Sequence, residues 1–491
     1  MIKAKYLLGF LSLGALLVGC SEDNFDKRPT ETISDKNLQE QYKKDPKVID
    51  GMIRGAYFML FKTGSGGTTG HSDFGQKSVD ISTDILSGDM AQRKSSYGHF
   101  YNNEELLSTT RTSGTNQMYW KYYFKVVKSC NDILSLFFEN DTEQPKENQA
   151  KWGQAKALRA YAYYNLAMMY SKGYSSPDDL CVPIYNVKNM DVAAPLSSVR
   201  KVLEFAKKDL EDAVVALAGF KRDGKYQIDE YVASGMLSYV YLTVGEYDKA
   251  IASADKVLAA YKPMTALEVT GGLNSIAAPS LMWGVDITNE NSGSLVTFWG
   301  HMDIYTYSYV YAGARKTIDK GLYDQISAQD VRKYQFSSSS LLPLWKFYDK
   351  GRVNGGDRKW ENDIFWMRAD EFILVKAEAQ ARSGKAGDAS TTLNTLLSKR
   401  AAVEGTPGCF PAGTPAGAPT YDMTNILDAV YLQWRIETWG EGRALSIMKR
   451  FQKSVKRGVN HSEYPGAVIS YDDPRLTFAI PEVEAVNNPN F

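Results

Sequence analysis

The sequence predicts a mainly α protein, with helix pairs forming a scaffold and a loop-rich insert containing a few short strands. Three observations predict it. Apolar residues recur at helical spacing through most of residues 45–260 and 366–457. Two distant segments share one pattern: Gly245 and Gly384 are each followed two places later by an apolar residue and five places later by Ala. Residues 264–365 lose the helical period and become irregular and aromatic.

Each element has its own signal. Asp45-Pro46 opens the first helix as N-cap and first helical residue, and Ile49, Ile53, Ala56, Tyr57 and Leu60 follow on one face. The glycine run at residues 64–70 lacks the Gly-Lys-Ser/Thr of a phosphate loop and reads as a flexible turn. A loop-rich stretch follows to about residue 113. A second helix is expected over about residues 117–138, with Trp120, Tyr123, Val127, Cys130 and Leu134 on one stripe and Asn131 beside it. The third carries Trp152, Ala155, Ala162, Tyr163 and Leu166, and Arg159 on the same face requires a carboxylate if buried. The fourth follows Pro195. The Gly245 and Gly384 segments read as tetratricopeptide-like helix pairs, where small Ala lets helices approach; lying so far apart, they do not make one uninterrupted solenoid. Within the insert, residues 282–287 and 295–299 look like short strands, and Trp283 takes a core position. Residues 404–420, rich in Gly and Pro, form a loop, and one long helix is expected over about residues 424–457.

The charge balance is 57 Lys+Arg against 57 Asp+Glu, so no basic excess exists for nucleic-acid binding by bulk charge. The four histidines are scattered along the chain, which argues against a multi-histidine metal site, and no cofactor is expected. Asp80, Asp84 and Asp89 do not have EF-hand spacing and read as solvated loop carboxylates. Lys3 and Lys5 precede an apolar stretch at residues 6–18, too short to span a bilayer as a stable helix. It ends at Leu17-Val18-Gly19-Cys20, which resembles the lipobox of bacterial lipoproteins. Residues 1–19 then form a signal peptide and Cys20 carries the lipid. The following Ser21-Glu22-Asp23-Asn24 resembles the acidic signal that sends lipoproteins to the outer face of the outer membrane. Residues 20–491 read as a single domain, with the scaffold at about 45–260 and 366–457 and the insert at about 264–365.

The layout resembles the SusD/RagB family of outer-membrane nutrient-binding lipoproteins. The resemblance rests on Arg54-Gly-Ala-Tyr57, Cys130-Asn131, Leu158-Arg159-Ala160 with Tyr163, and Val182-Pro183-Ile184. It continues through Asp330-Val-Arg332, Arg368-Ala-Asp-Glu371 leading to Ala377-Glu378-Ala379, and Trp434-Arg435-Ile-Glu437 with Gly440-Glu-Gly-Arg443. Ile480-Pro481-Glu482 and Asn488-Pro489 resemble the family's tail. Gln433-Trp434 stand where the family often has Glu-Arg. The resemblance implies a protein on the extracellular face of the outer membrane that covers a TonB-dependent, SusC-like transporter as a lid. It captures an oligosaccharide and performs no chemistry.

Sugar rings present an apolar face of C–H groups and a rim of hydroxyls, so aromatic rings with polar neighbours suit them. Two stretches have that content: residues 93–101, with Arg93, Tyr97 and Tyr101, and residues 298–311, with Trp299, His301, Tyr305 and Tyr307, together with Trp345. Trp299 beside Gly300-His301 is the better exposed candidate. The alternation Tyr305, Tyr307, Tyr309, Tyr311 reads first as a half-buried strand and second as a sugar platform. The charged motif residues Arg435, Glu437, Glu441 and Arg443 are expected to pair with one another or cap neighbouring helices. Two other classes remain open: a peptide or protein receptor of the RagB type, and a glycoside hydrolase, although no carboxylate pair stands out and Glu371 and Glu378 look structural.

Overall fold

The computed structural model describes residues 40–42, 44, 45, 47–137, 148–402 and 417–491. The lipobox with Cys20, and nearly all of the Gly/Pro-rich segment expected to loop, lie outside them. Contacts divide the chain into two units, residues 1–49 and 50–491. The described part of the first includes the start of helix α1 (Val48–Phe58). Everything below concerns the second.

The helical scaffold is built by neighbours packing in succession. Helices α4 (Gly114–Ser135), α5 (Gln149–Met169), α6 (Val199–Ala216), α7 (Glu230–Val244) and α8 (Tyr247–Ala260) each pack on the next. Helix α8 then packs directly on α12 (Asp370–Arg382), which pairs with α13 (Ala386–Leu397). The stack is thus continuous in space although the insert interrupts it in sequence. Gly245 and Gly384 end α7 and α12 in the left-handed region at φ 88° and 75°, which lets each chain reverse sharply. Ala250, Ala254 and Ala389 are fully buried at the helix contacts, as the repeat pattern requires.

Buried charges cross-link the stack. Arg159 on α5 meets Asp209 on α6 at 2.7 Å and donates to Asn131 on α4 at 2.7 Å, so three consecutive helices share one polar core. Helix α14 (Ile426–Glu437) places Glu437 among Arg332, Arg368 and Arg400, at 2.8, 2.7 and 2.7 Å. Burial pushes the Glu437 carboxyl up, but the three guanidiniums together hold it well below the usual carboxylate range. Glu441 pairs with Arg368, Arg443 with Glu371, and Arg435 with Asp89. The motif charges therefore bind partners on other elements and not one another.

Four expectations are corrected. Residues 71–113 are not simply loop: they hold helix α2 (Gln76–Ser87), strand β1 (Met90–Gln92) and the single turn α3 (Tyr101–Glu104). Helix α2 is buried along its whole length, its Gln, Lys, Ser and Asp residues included, so polar composition does not mark it as exposed loop. Asp80 and Asp84 lie on it and Asp89 just beyond, all buried: Asp80 pairs with Lys77, and Asp84 accepts from the Gly440 amide at 2.6 Å. The glycine run is no slack turn, because Asp73 accepts from the amides of Gly66 and Thr68 at 2.7 and 2.9 Å. The long C-terminal helix is two, α14 and α15 (Ala444–Phe451), broken where Gly440 and Gly442 take φ of 76°.

The insert docks through small antiparallel pairs. Its strand β4 (Leu281–Val285) pairs with β6 (Ile364–Arg368), closing the insert near its two ends. Trp283 is fully buried between Tyr161 of α5 and Trp366, at 5.1 and 4.9 Å, and ties this closure to the stack. Strand β5 (Lys316–Ile318) pairs with β1, with Gln92 opposite Lys316, which brings residues 93–101 beside the insert.

Candidate functional site

One turn organises the exposed aromatic face. Asp303 is fully buried, and its carboxylate accepts from the amides of Tyr305 and Thr306 at 3.2 and 2.9 Å. It also accepts from the Asp349 amide at 3.0 Å and from Trp360 Nε1 at 3.1 Å. Residues 303–307 are thereby fixed to the loop that follows Trp345. Backbone bonds continue the join: Gly355 N donates to Tyr305 O at 2.8 Å, and Tyr307 N to Gly356 O at 3.1 Å. The expected Tyr305–Tyr311 strand does not form, because these bonds bend the chain into successive turns.

Two aromatic groups result. Tyr305, Trp345 and Tyr348 surround the Arg352 guanidinium, whose carbon lies 4.7, 3.6 and 4.5 Å from their ring centres. Arg352 Nη2 also donates to the Tyr305 hydroxyl. Arg352 has φ 49°, so this non-glycine residue is held in the left-handed region while its guanidinium is enclosed by three rings, of which Tyr348 stands nearly perpendicular to Tyr305 and to Trp345. Beside it, Tyr307 and Tyr311 meet edge to face at 5.8 Å, and Arg358 lies 4.2 Å over Tyr307. Tyr97, Tyr307 and Tyr311 are 43%, 41% and 43% exposed. Tyr97 joins the face through buried Tyr309, at 5.2 Å between ring centres.

The structure keeps some of the expected site residues at this face and removes others. Arg93 and Tyr97 are exposed, Tyr307 is exposed, and Tyr305 and Trp345 are half-buried. Trp299 is 2% exposed, with Nε1 donating to Asp363 O at 3.3 Å. Residues 295–299 form no strand; Thr297 caps the short helix α10 (Phe298–Met302), which turns the indole inward. Gly300 permits this, since a Cβ there would lie 2.3 Å from Leu295 O. His301 is fully buried, and Tyr101 is buried with its hydroxyl donating to Glu463 at 2.6 Å. None of these three can stack on a sugar. Arg352, Arg358 and Tyr348 were not among the expected site residues, and Tyr311 entered only through the tyrosine alternation. The signal for the arginines was a loop with three glycines and two arginines between Trp345 and Trp360.

Three of the four histidines are not scattered in space. His71, His99 and His301 converge, with His71 and His99 stacked at 5.4 Å and His99 and His301 edge to face at 5.6 Å. His301 Nε2 donates to His71 O at 2.8 Å and its ring stacks on Tyr309 at 4.7 Å. Burial, with His71 and Lys316 nearby, pushes His99 down to about 4. Burial alone brings Lys316, which lies over the Phe100 ring, down to about 7. The rings pack against one another, and among the described residues no group of His, Cys, Asp or Glu side chains is arranged to hold a metal ion. Glu371 and Glu378, the carboxylates weighed for hydrolysis, are buried and paired with Arg443 and with Arg382 and Arg450.

Comparison with known proteins now becomes decisive. Residues 67–242 match a family model described as starch-binding associating with outer membrane, and residues 296–488 match the model of the SusD family. The chain belongs to the SusD/RagB family. The fold agrees. A SusD-like carbohydrate-binding protein from Bacteroides vulgatus superimposes with a TM-score of 0.73 at 24% identity, covering 90% of this chain and 96% of that one. A SusD superfamily protein from Bacteroides thetaiotaomicron gives 0.71 at 20% identity, with 90% and 98% covered. The surface glycan-binding protein A of Bacteroides uniformis gives 0.65 at 15% identity, with 91% and 98% covered. No curated protein matches the chain by sequence. Within the SusD/RagB fold, the mainly α scaffold with few short strands is what the sequence predicts, and the aromatic face is carried by the insert and by residues 93–101 joined to it.

Proposed function

We propose that the protein is a cell-surface glycan-binding lipoprotein that captures oligosaccharides and delivers them to a TonB-dependent outer-membrane transporter of the SusC type. The observation that carries this reading is the exposed face of Tyr97, Tyr307 and Tyr311, held rigid from below by Asp303 and Tyr309. Rigid tyrosines offer a flat apolar surface for a sugar ring and a hydroxyl for its rim, at small entropic cost. Membership of a family described as starch-binding and outer-membrane associated supports the same reading. Cys20 is the proposed point of lipid attachment, and among the described residues no helix is long and apolar enough to cross a membrane. The role requires no chemistry on the ligand.

The test is a calorimetric screen of purified protein against glycans and peptides. Tyr97→Ala and Tyr307→Ala should each weaken glycan binding about tenfold while leaving the melting temperature unchanged. Trp299→Ala should instead destabilise the fold by about 3–5 kcal/mol, because it empties a buried indole site. Heat from peptides and none from glycans would favour a peptide receptor and sink the sugar assignment.

A further inference from the structure

The net charge of zero hides a local imbalance at the aromatic face. Arg352 and Arg358 both sit on tyrosine rings there, and among the described residues neither has a carboxylate within ion-pair distance. Arg93 and Arg315 flank them at the edge of the β1–β5 pair, where Arg93 N donates to Arg315 O at 2.9 Å. Both are exposed, and neither is paired with a carboxylate among the described residues. Two other exposed arginines are paired, Arg200 with Asp178 at 3.1 Å and Arg475 with Asp473 at 2.7 Å.

The rings limit what these guanidiniums can do. A guanidinium held against ring faces still carries its N–H donors in its own plane, as a fork that matches a carboxylate or sulfate. Arg352 spends one N–H on the Tyr305 hydroxyl, and no other side-chain hydrogen bond among the described residues takes up the rest. It also covers Trp345 at 3.6 Å, so that indole serves to orient the cation and is not a free stacking surface. Among the described residues of this face, the rings without a cation on them are those of Tyr97 and Tyr311, while Tyr307 stays 41% exposed beneath Arg358. Exposed tyrosines beside unpaired guanidinium forks are a pattern for a chain whose rings carry negative groups.

We infer that the ligand is an acidic glycan, bearing carboxylate or sulfate on its rings, whose anions are held by Arg352 and Arg358 while its ring faces lie on the exposed tyrosines. This inference rests on the glycan-binding reading and narrows its substrate class. Carboxylate and sulfate share the required chemistry, and the probes separate them.

The experiment is calorimetry with oligogalacturonate as the carboxylate probe, κ-carrageenan oligosaccharides as the sulfate probe, and maltooligosaccharides and xylooligosaccharides as neutral probes. At least one acidic probe should bind at least about tenfold tighter than either neutral one, and the gap should shrink as salt is raised. Arg352→Gln and Arg358→Gln should each weaken the acidic probe about tenfold with an unchanged melting temperature. Arg358→Lys, which keeps the charge and loses the fork, should fall between. Neutral probes binding as tightly as acidic ones, or tight acidic binding indifferent to both glutamine variants, would overturn the acidic assignment and leave the glycan reading standing. If no glycan of either kind binds, the glycan reading itself fails and this inference with it.

Discussion

A histidine that stays neutral in the fold leaves a mark on the pH dependence of stability. His99 packs against His71, Tyr309 and His301, and burial with the neighbouring His71 and Lys316 brings it down to about 4. An unfolded histidine titrates near about 6.5. Between those two values the unfolded chain binds a proton that the folded chain refuses, so stability falls as pH falls. Buried His301 acts in the same direction, while His461, held by Asp319 and Glu104 and raised, acts in the opposite one. Comparison with a variant isolates His99. The melting temperature of the wild type should drop more steeply between about pH 6.5 and about pH 4 than that of His99→Gln. Parallel curves would mean that His99 is protonated inside the fold. The same cluster explains why individual site residues were hard to read. Trp299, His301 and Tyr101 carry the right side chains in a polar, glycine-bearing sequence, yet each finds a partner from a distant segment: Asp363, His71 and Glu463. Exposure at these positions depends on contacts across the fold, which local sequence does not specify.

At the scale of elements, the breaks between helices carry as much information as the helices. Gly384 and Gly442 have nearly the same φ, 75° and 76°. A Cβ at Gly384 would meet open space, whereas one at Gly442 would lie 2.3 Å from the Asp80 carboxylate and 2.7 Å from Asp80 Cα. Gly384→Ala should therefore cost only the left-handed penalty of about 1–2 kcal/mol. Gly442→Ala should add overpacking of about 1–3 kcal/mol, because the clash is with backbone of the buried α2 helix. Urea unfolding of the two variants measures the difference, and equal midpoints would show that the α14–α15 break can shift away from α2. The helix pairs flanking Gly245 and Gly384 were legible because a left-handed glycine, followed by an alanine contact, is a local requirement. Helix α2 was not. Its Gln76, Lys77, Ser78, Asp80, Ser82 and Asp84 look like loop residues, but every one is buried and most find partners on other elements. The long C-terminal helix divides for the related reason that Asp84 accepts from the amides freed at the break.

At the scale of the molecule, a closed helical stack carries an aromatic insert, and the remaining question is what holds the assembly at the membrane. The direct packing of α8 on α12 means that the insert can be as long and irregular as ligand binding demands without splitting the scaffold. The strand pair at its ends and Trp283 at the closure transmit that rigidity to the face. The proposed lipid on Cys20 acts as a tether, with residues 21–47 between it and the first helix. A single substitution should separate the two roles. Cys20→Ala should leave the protein in the soluble or inner-membrane fraction, unlabelled by palmitate and absent from the cell surface. The same protein, purified, should keep the wild-type melting temperature and the wild-type affinity for its glycan. Surface labelling that persists in Cys20→Ala would remove the lipid from the proposal and assign attachment to another contact. Loss of affinity in the purified variant would instead place the N-terminal segment within the binding apparatus, in conflict with a site built from Tyr97, Tyr307, Tyr311, Arg352 and Arg358.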